Sequence, residues 1–421
     1  METDKARRKH FVRVFCGIDW AEDHHDVAVV DEGGKLLAKR RIGDDAEGHR
    51  LLLEVLAEYD DSDAALVPVA IETSHGLLVA ALRSAGRPIY AINPMAASRY
   101  RDRHAVSRKK SDHGDAVVLA NILRTDMASH RPLPAHSELS QAITVLARAQ
   151  QDAVWNYQQL SNQLRSLLRE YFPAALTAFQ HLQGGLTRGD ARAVLAVAST
   201  PGKAARLSRT QLRAALKRGG RQRGIDADAE RIQGVFRSEC LRHTPMVEEA
   251  MGLQMLALLR QLDAACKAAD ELAESLQARF REHPDAHIVT SFPGLSDLAG
   301  ARVLAEIGDD RSYFTSARAL KAYAGSAPVT RASGKVRIVT HRVVKNRRLA
   351  SCGYVWTLTA LRASPGARTH YKRRREVGDR HSSAQRNLFN KLLGQLYHCL
   401  QTRQTYNESR AFSQPAQALA A

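Results

Sequence analysis

The sequence has few cysteines and no long apolar segment. Its five cysteines are scattered over 421 residues without a Cys-x-x-Cys pair, which argues against structural zinc and against a disulfide framework. No apolar run approaches the roughly 20 residues of a membrane span, and residues 1–10 lack the apolar core of a signal peptide. We therefore expect a protein of the reducing cytoplasm with no membrane partner. Cys16, which lies in an apolar stretch, is expected to be simply buried.

The sequence also has fewer acidic than basic residues. Lys and Arg number 62 against 44 Asp and Glu, a formal charge of +18 with a pI of about 10.0, which points to a polyanionic partner such as DNA in the nucleoid. Residues 301–400 alone hold 20 basic and 5 acidic residues. This one-sided segment is either a solvated charged face or a surface that contacts phosphates. The candidate nucleic-acid-binding residues are Lys109, Lys110, Arg331, Lys335, Lys345, Arg347, Arg348, Lys372, Arg373, Arg374 and Arg375.

The first 134 residues show the pattern of an α/β domain. Three strand-like segments come in succession, followed by helix, strand, helix, strand and helix. This order is that of an RNase H-like (RuvC-like) fold, which we expect for residues 1–134. The predicted strands are residues 12–18, 26–31, 36–42, 66–71 and 88–92.

Four acidic residues fall on the ends of these elements. Asp19 ends the first strand and Glu72 the fourth, while Asp112 and Asp115 share one face of a helix that starts near Ser111, a good N-cap residue. In an RNase H-like fold these ends meet, so the four carboxylates would form a two-metal site for Mg²⁺, with Mn²⁺ as a substitute. The alternative is that they are ordinary strand-end acids and acids that complement a helix dipole.

A helical middle domain is predicted for residues 135–283. Apolar residues recur with heptad spacing from Leu139 to Leu167 and again from Met255 to Leu276, which is typical of two long coiled-coil helices. They would pair with each other or with a second copy of the chain. The segment between them is helical but broken, and its basic loop at residues 217–224 is either a solvated spacer or a nucleic-acid contact.

The remaining residues, 284–400, predict a mainly helical third domain. Residues 291–304 resemble a helix-hairpin-helix, in which a Pro-Gly turn lets backbone amides approach a phosphate. Residues 401–421 are rich in Gln, Ser and Ala and are expected to be disordered.

Several of these segments together resemble the DEDD transposases of insertion-sequence family 110. They are GIDWAEDHHDVAVVD (17–31), VAIETSHG (69–76), RKKSDHGDAVVLANIL (108–123), SFPGLSDLAGARVLAEIGD (291–309) and FTSARALKAYAGSAPVTRASGK (314–335). The resemblance covers nearly the whole chain, and the family's four acids match Asp19, Glu72, Asp112 and Asp115.

The resemblance implies a site-specific recombinase that mobilises its own element. A RuvC-like domain with Mg²⁺ would be joined through a coiled coil to a C-terminal transposase domain. That domain would supply a serine that attaches covalently to cut DNA, in an active site shared between the two domains. A structured non-coding RNA, the bridge RNA, would select donor and target DNA, and the working assembly would be a dimer or a dimer of dimers.

Ser333 is the serine that matches the family's C-terminal motif. A serine hydroxyl needs activation, which metal-bound carboxylates would provide, and Arg331 and Lys335 would stabilise the phosphate charge. From spacing alone, a turn between two strands is the better interpretation of this segment, and only the resemblance places Ser333 above Ser326 or Thr330.

Three other functions are compatible with parts of the sequence. A metal-dependent endonuclease of the Holliday-junction type would use the same acids and cut with water, without a serine or RNA. A basic scaffold protein would explain the charge and leave the acids idle. An actin-like ATPase also begins with a strand ending in Asp, but no Gly-rich phosphate loop follows Asp19. A covalent protein–DNA adduct separates the recombinase from all three.

Overall fold

The computed structural model describes residues 13–59, 61, 66–104, 112–334 and 336–412. Its contacts divide the chain into two compact units, residues 1–135 (unit 1) and 136–421 (unit 2). The further division of unit 2 at residue 283 stays a prediction, because two long helices contribute to both of the hydrophobic cores of this unit.

Unit 1 is built on a mixed five-stranded sheet. The strand order is β3-β2-β1-β4-β5, antiparallel among the first three strands of the chain and parallel from β1 through β4 to β5. A strand forms within or overlapping each of the five predicted segments, and the sheet with its helices is compatible with an RNase H-like domain. The strands are β1 (Phe15–Trp20), β2 (His24–Val30), β3 (Leu36–Gly43), β4 (Val69–Ile71) and β5 (Ile89–Ala91). The helices are α1 (Ala46–Ala57), α2 (Leu77–Ser84), α3 (Pro94–His104) and α4 (Asp112–Asp126), the last followed by a short 3₁₀ turn (Met127–Ser129).

The two faces of this sheet are covered by different helices. Side chains alternate along a strand, so Cys16 and Ile18 of β1 pack towards α1 and α2, whereas Phe15 packs towards α3 and α4. Cys16 is fully buried, and this burial raises the pKa of its thiol to about 12. The expectation that Cys16 is a buried, unreactive thiol is thereby supported.

Unit 2 is mostly helical, and none of the helices in the described ranges is long and apolar enough to cross a bilayer. Its first half contains α5 (Glu138–Tyr171), α6 (Pro173–Phe179), α7 (Gly189–Val197), α8 (Pro201–Ala205), α9 (Arg209–Arg218), α10 (Ile225–Arg237) and α11 (Pro245–Glu282), with a 3₁₀ turn at Gly185–Thr187. Its second half contains α12 (Ala286–Thr290), α13 (Asp297–Ile307), α14 (Ala317–Tyr323), α15 (Arg347–Ala363), α16 (Pro365–Glu376), α17 (His381–Thr402) and α18 (Glu408–Ala411). A two-stranded hairpin of β6 (Val329–Ser333) and β7 (Val336–Thr340) precedes α15.

The two helices with heptad spacing pack against each other in antiparallel fashion. Ile143 near the start of α5 shares a core with Leu276 near the end of α11, and Leu164 shares the second core with Met255. The helices α6 to α10 surround that second core, so the broken segment between the long helices is folded rather than a solvated spacer.

A half-buried carboxylate, that of Asp309, joins the start of α5 to the end of α13. Asp309 accepts a hydrogen bond from the backbone of Ser137 at 3.1 Å, and its oxygens lie 3.3 Å from Nδ1 of His136 and 3.5 Å from Nε2 of His283. Burial alone would raise the pKa of Asp309, but the bonds from these three residues outweigh it and hold that pKa far below its usual value.

The predicted disorder of residues 401–421 is wrong for residues 401–412. The backbone of Tyr406 donates to Oγ of Ser291 at 2.8 Å, and its ring packs 4.6 Å from that of Phe292. The polar composition of this segment concealed two aromatic anchors, Tyr406 and Phe412, which pack on the second-half core. Residues 413–421 lie outside the described residues.

Candidate active site

The carboxyl ends of two parallel strands carry Asp19 and Glu72. β1 and β4 pair with Ile18 opposite Ile71, and Asp19 and Glu72 are the next residues along the two strands. Neighbouring strands lie about 4.8 Å apart, so this register puts two carboxylates side by side at one edge of the sheet. Both residues are half-buried, and β1 continues one residue further, to Trp20.

Helix α4 begins beside this edge. Alternation places Asp19 on the same face as Gly17, where an added Cβ would lie 2.1 Å from the carbonyl oxygen of Ala116 and 2.4 Å from the backbone nitrogen of Ala120. The end of α4 packs against the start of β1, so the helix runs antiparallel to the strand. Its first turn therefore lies at the Asp19 end, and this turn carries Asp115.

Asp115 is already paired with a cation of its own unit. Nη1 of Arg101, on α3, donates to Oδ1 of Asp115 at 2.7 Å, and the Asp115 side chain is 11% exposed. The arginine neutralises a carboxylate that is nearly sealed from water. Asp112 opens α4, but its side chain is not among those described. The predicted basic residues Lys109 and Lys110 and the predicted N-cap Ser111 also lie outside the described residues.

A further carboxylate on the same face was not predicted. Asp26 on β2 lies opposite Asp19 in the sheet register and is 2% exposed. Arg41, opposite it on β3, binds its two oxygens through Nε at 3.1 Å and Nη2 at 2.8 Å. A sequence signal was available: Asp26 begins the predicted strand 26–31 and is followed by four apolar residues, a position where a buried acid requires a partner.

The donor chemistry of this edge fits a hard divalent cation. Asp19, Glu72 and Asp115 offer only carboxylate oxygens, which are the ligands that Mg²⁺ and Mn²⁺ prefer. Among the described residues, however, no group of three or more Asp, Glu, His or Cys side chains is arranged to hold a metal ion. A metal bound through Oδ1 of Asp115 would have to take the place that the guanidinium of Arg101 holds.

Ser333 is the last residue of β6, the first strand of an exposed hairpin. It lies opposite Val336, and the turn between them contains Gly334, with a φ of +55°, and Lys335, which is outside the described residues. A two-residue hairpin turn needs positive φ angles, which explains the glycine. The turn between two strands, predicted as the alternative, is thus present, and it holds the Ser333 side chain in solvent.

Thr330 and Ser326, the other two hydroxyl residues considered, are placed differently from Ser333. Arg331 is two residues from Ser333 and so lies on its face of the hairpin, whereas Thr330 lies on the opposite face. Ser326 is 3% exposed, and its hydroxyl donates to the carbonyl of Lys321 at 3.2 Å and accepts from Asn390 at 3.3 Å. Burial and these bonds leave Ser326 unsuited to attack a DNA strand.

The predicted basic residues divide into exposed and internally paired groups. Arg348 binds both oxygens of Asp152 at 2.8 and 2.9 Å, and Arg374 and Arg375 bind the side chain and carbonyl of Asp379 at 2.6 and 2.7 Å. These three arginines join elements of unit 2 to one another. The exposed members of the set are Arg331, Lys345, Arg347, Lys372, Arg373 and Arg375, and Arg375 therefore belongs to both groups.

Two half-buried lysines of unit 2, Lys321 on α14 and Lys391 on α17, have other cations as neighbours. Burial lowers the pKa of Lys391, and the charge of Arg373 lowers it further. Burial likewise lowers the pKa of Lys321, with Lys391 as the second cause. A bound phosphate would relieve this mutual repulsion.

The Pro-Gly turn between α12 and α13 packs against another helix, α15. Gly294 has the positive φ, +83°, that the pattern suggested. Trp356 donates to the carbonyl of Pro293 at 3.1 Å, and Thr359 donates to that of Gly294 at 2.9 Å. An added Cβ on Gly294 would lie 2.6 Å from the backbone nitrogen of Ala360. The turn therefore packs against α15. That its backbone amides approach a phosphate stays a prediction.

Comparison with known proteins identifies relatives along nearly the whole chain. Residues 16–173 match the DEDD model of IS110 elements, described as "Transposase", and residues 286–372 match the model described as "Transposase IS116/IS110/IS902 family". The mini-circle putative transposase for IS117 of Streptomyces coelicolor is 67% identical over 407 residues, which cover 97% of this chain and 98% of that protein. An uncharacterized 42 kDa protein of insertion element IS900 from Mycobacterium paratuberculosis is 27% identical, over 94% of this chain and 97% of its own.

Proposed function

Since the chain belongs to the IS110 family of transposases, we propose that it cuts and rejoins DNA with a metal-binding acid cluster and a serine nucleophile. The cluster consists of Asp19, Glu72, Asp112 and Asp115, and the nucleophile is Ser333. The observation that carries the proposal is the meeting of Asp19, Glu72 and the first turn of α4 at one edge of the unit 1 sheet. Carboxylates on neighbouring strand ends and on the helix beside them supply the donor atoms that a metal-binding cluster of this kind needs.

The chemistry proposed is an exchange of phosphate esters. The Ser333 oxygen attacks the scissile phosphorus and gives up its proton, a P–O bond to serine forms, and the bond to a deoxyribose oxygen breaks, with that oxygen taking a proton. The same steps in reverse, with a different strand, rejoin the DNA. One phosphodiester replaces another at each step, so no external energy source is needed.

Each protein group has a defined task in this scheme. Mg²⁺, when bound by the acids, would supply positive charge to the phosphate and acidify a bound hydroxyl. Arg101 would release Asp115 for that purpose, and Arg331, on the face of Ser333, would stabilise charge on the attacked phosphate.

We also propose that a structured non-coding RNA of the element selects donor and target DNA, and that the chain works as a dimer or a dimer of dimers. The resemblance of the sequence to the family supports these two points. The exposed cations of unit 2, Lys345, Arg347, Lys372 and Arg373, suit a polyanion of either kind.

A trapped covalent adduct tests the nucleophile. Ser333→Ala should abolish both strand exchange and the protein–DNA adduct on a denaturing gel, while DNA binding persists. Thr330→Ala, on the other face of the same strand, is the matched control and should keep both. Wild-type adduct from Ser333→Ala would falsify the assignment and favour the alternative, a junction endonuclease that uses water.

A substitution in α4 tests the metal cluster. Asp112→Asn should fold normally and lose activity. Normal recombination by that variant would refute the proposed metal cluster.

A further inference from the structure

The hairpin that carries Ser333 exposes apolar residues to water. Val336 and Ile338 of β7 are 59% and 53% exposed, and Val339 is 58% exposed. Every residue of β6 and β7 is exposed apart from Val329, which is half-buried. Strand positions that face water are normally polar, and a two-stranded hairpin by itself is only marginally stable. The described part of the chain thus leaves more than half of each of these three residues open to a partner.

Two of these residues share a face of the hairpin with the proposed nucleophile. Val336 lies opposite Ser333 in the strand register, and Ile338 lies opposite Arg331. Opposite residues of an antiparallel pair project from the same face, with Cβ atoms about 4.5–5.5 Å apart. We call the face formed by these four residues the serine face. A base that packed on Val336 would therefore belong to a nucleotide next to the phosphate that Ser333 attacks.

The charge of the segment around the hairpin favours an anionic partner. Residues 311–375 contain 16 Lys and Arg and no Asp or Glu. A second copy of this chain, which has a formal charge of +18, would set this segment against another basic molecule. DNA combines apolar base faces with anionic phosphates, so it matches both the exposed apolar pair and the cations around it.

Given the DNA chemistry proposed above, on which this inference rests, we propose that Val336 and Ile338 form a wedge that enters DNA between base pairs beside the scissile phosphate. Apolar side chains inserted in this way unstack the bases and kink the duplex. Arg331, on the same face, binds the phosphate backbone next to the wedge. Strand exchange requires the cut strand to leave its partner, and the wedge opens the base pairs at that point.

Binding to paired and mispaired duplexes tests the wedge, because a mismatched step costs less to open than a paired one. The full-length Ser333→Ala protein, in which the proposed chemistry is silent, is titrated at low salt with two short fluorescent DNA duplexes. One is fully paired, and the other has the same labelled strand with adjacent mismatches at its centre. Anisotropy gives each Kd. We expect the mispaired duplex to bind roughly tenfold more tightly, which corresponds to about 1.4 kcal/mol.

Matched substitutions on the two faces of the hairpin assign that preference to the wedge. A variant that combines Val336→Thr with Ile338→Thr removes apolar surface but keeps β-branched side chains, so the hairpin should stay folded and the preference should disappear. Ile338→Leu keeps an apolar wedge and should keep the preference. Val339→Thr makes the same exchange at an equally exposed position on the other face, opposite Thr330, and should also keep it.

The proposal is overturned if the Ser333→Ala protein binds the two duplexes equally, if the double threonine variant keeps the full preference, or if Val339→Thr loses it to the same extent. The adduct assay decides the proposed function separately. An adduct with no preference between the duplexes would remove the wedge alone, and a preference with no adduct would remove the serine chemistry alone.

Discussion

Replacing Gly17 by alanine should separate α4 from the sheet and disturb the acid cluster. The added Cβ would lie 2.1 Å from the carbonyl oxygen of Ala116 and 2.4 Å from the backbone nitrogen of Ala120. Carbon atoms in contact prefer about 3.5–4.0 Å, and both neighbours are helix backbone that cannot rotate away. Helix α4 would therefore have to move by about 1 Å or more, and Asp115 would move with it.

Two quantities should respond to this displacement. Overpacking of a core typically costs about 1–3 kcal/mol of unfolding free energy, which urea unfolding followed by circular dichroism would measure. A misplacement of about 1 Å can lower a rate by about 10²-fold, so adduct formation should slow by a comparable factor even under conditions where the variant is fully folded.

A second glycine of unit 1 provides the control. An added Cβ on Gly33 would meet only the carboxylate of Asp31, at 3.3 Å, and that side chain can adjust. Gly33→Ala should therefore keep its unfolding midpoint and its adduct rate. If Gly17→Ala also kept both, α4 would not lie against β1 as described, and the placement of Asp115 beside Asp19 would be refuted.

Three further substitutions probe charged residues of unit 2. Arg348→Ala should lower the unfolding free energy by about 0.2–1 kcal/mol, because its ion pair with Asp152 is partly exposed, and it should hardly change DNA affinity. Arg373→Ala should instead weaken DNA binding and reduce its salt dependence. Equal effects of the two variants on binding would contradict the division into paired and exposed arginines. Asp309→Asn should cost about 1–3 kcal/mol at neutral pH by weakening the bonds to His136 and His283. Because the folded pKa of Asp309 is lowered, this difference should persist down to about pH 4, the ordinary pKa of an unfolded Asp, and shrink below it; a difference that grew on acidification would refute the assignment.

The positions and the ends of the strands could be predicted from the sequence. Short strand-like runs between turn signals located each strand of unit 1, and the order of elements predicted that Asp19 and Glu72 lie at neighbouring strand ends. The heptads likewise located α5 and α11, although spacing left their partner open. The structure pairs the two helices with each other.

The sequence predicted least about which charged residues are paired inside the fold. Arg348 and Arg374 looked equivalent to Lys345 and Arg373 in a basic segment, but the first two are bound to carboxylates, and one of these, Asp152, is distant in sequence. Composition counts charges, and it carries no information on which of them the fold neutralises.

The sequence by itself determined the period of each element and the residue at each element end, because these depend on neighbours a few positions apart. Only the tertiary structure decided that Arg101 binds Asp115 and that Asp26 lies beside Asp19. Those facts depend on contacts between segments far apart in the chain, whose geometry is set when whole helices and sheets pack.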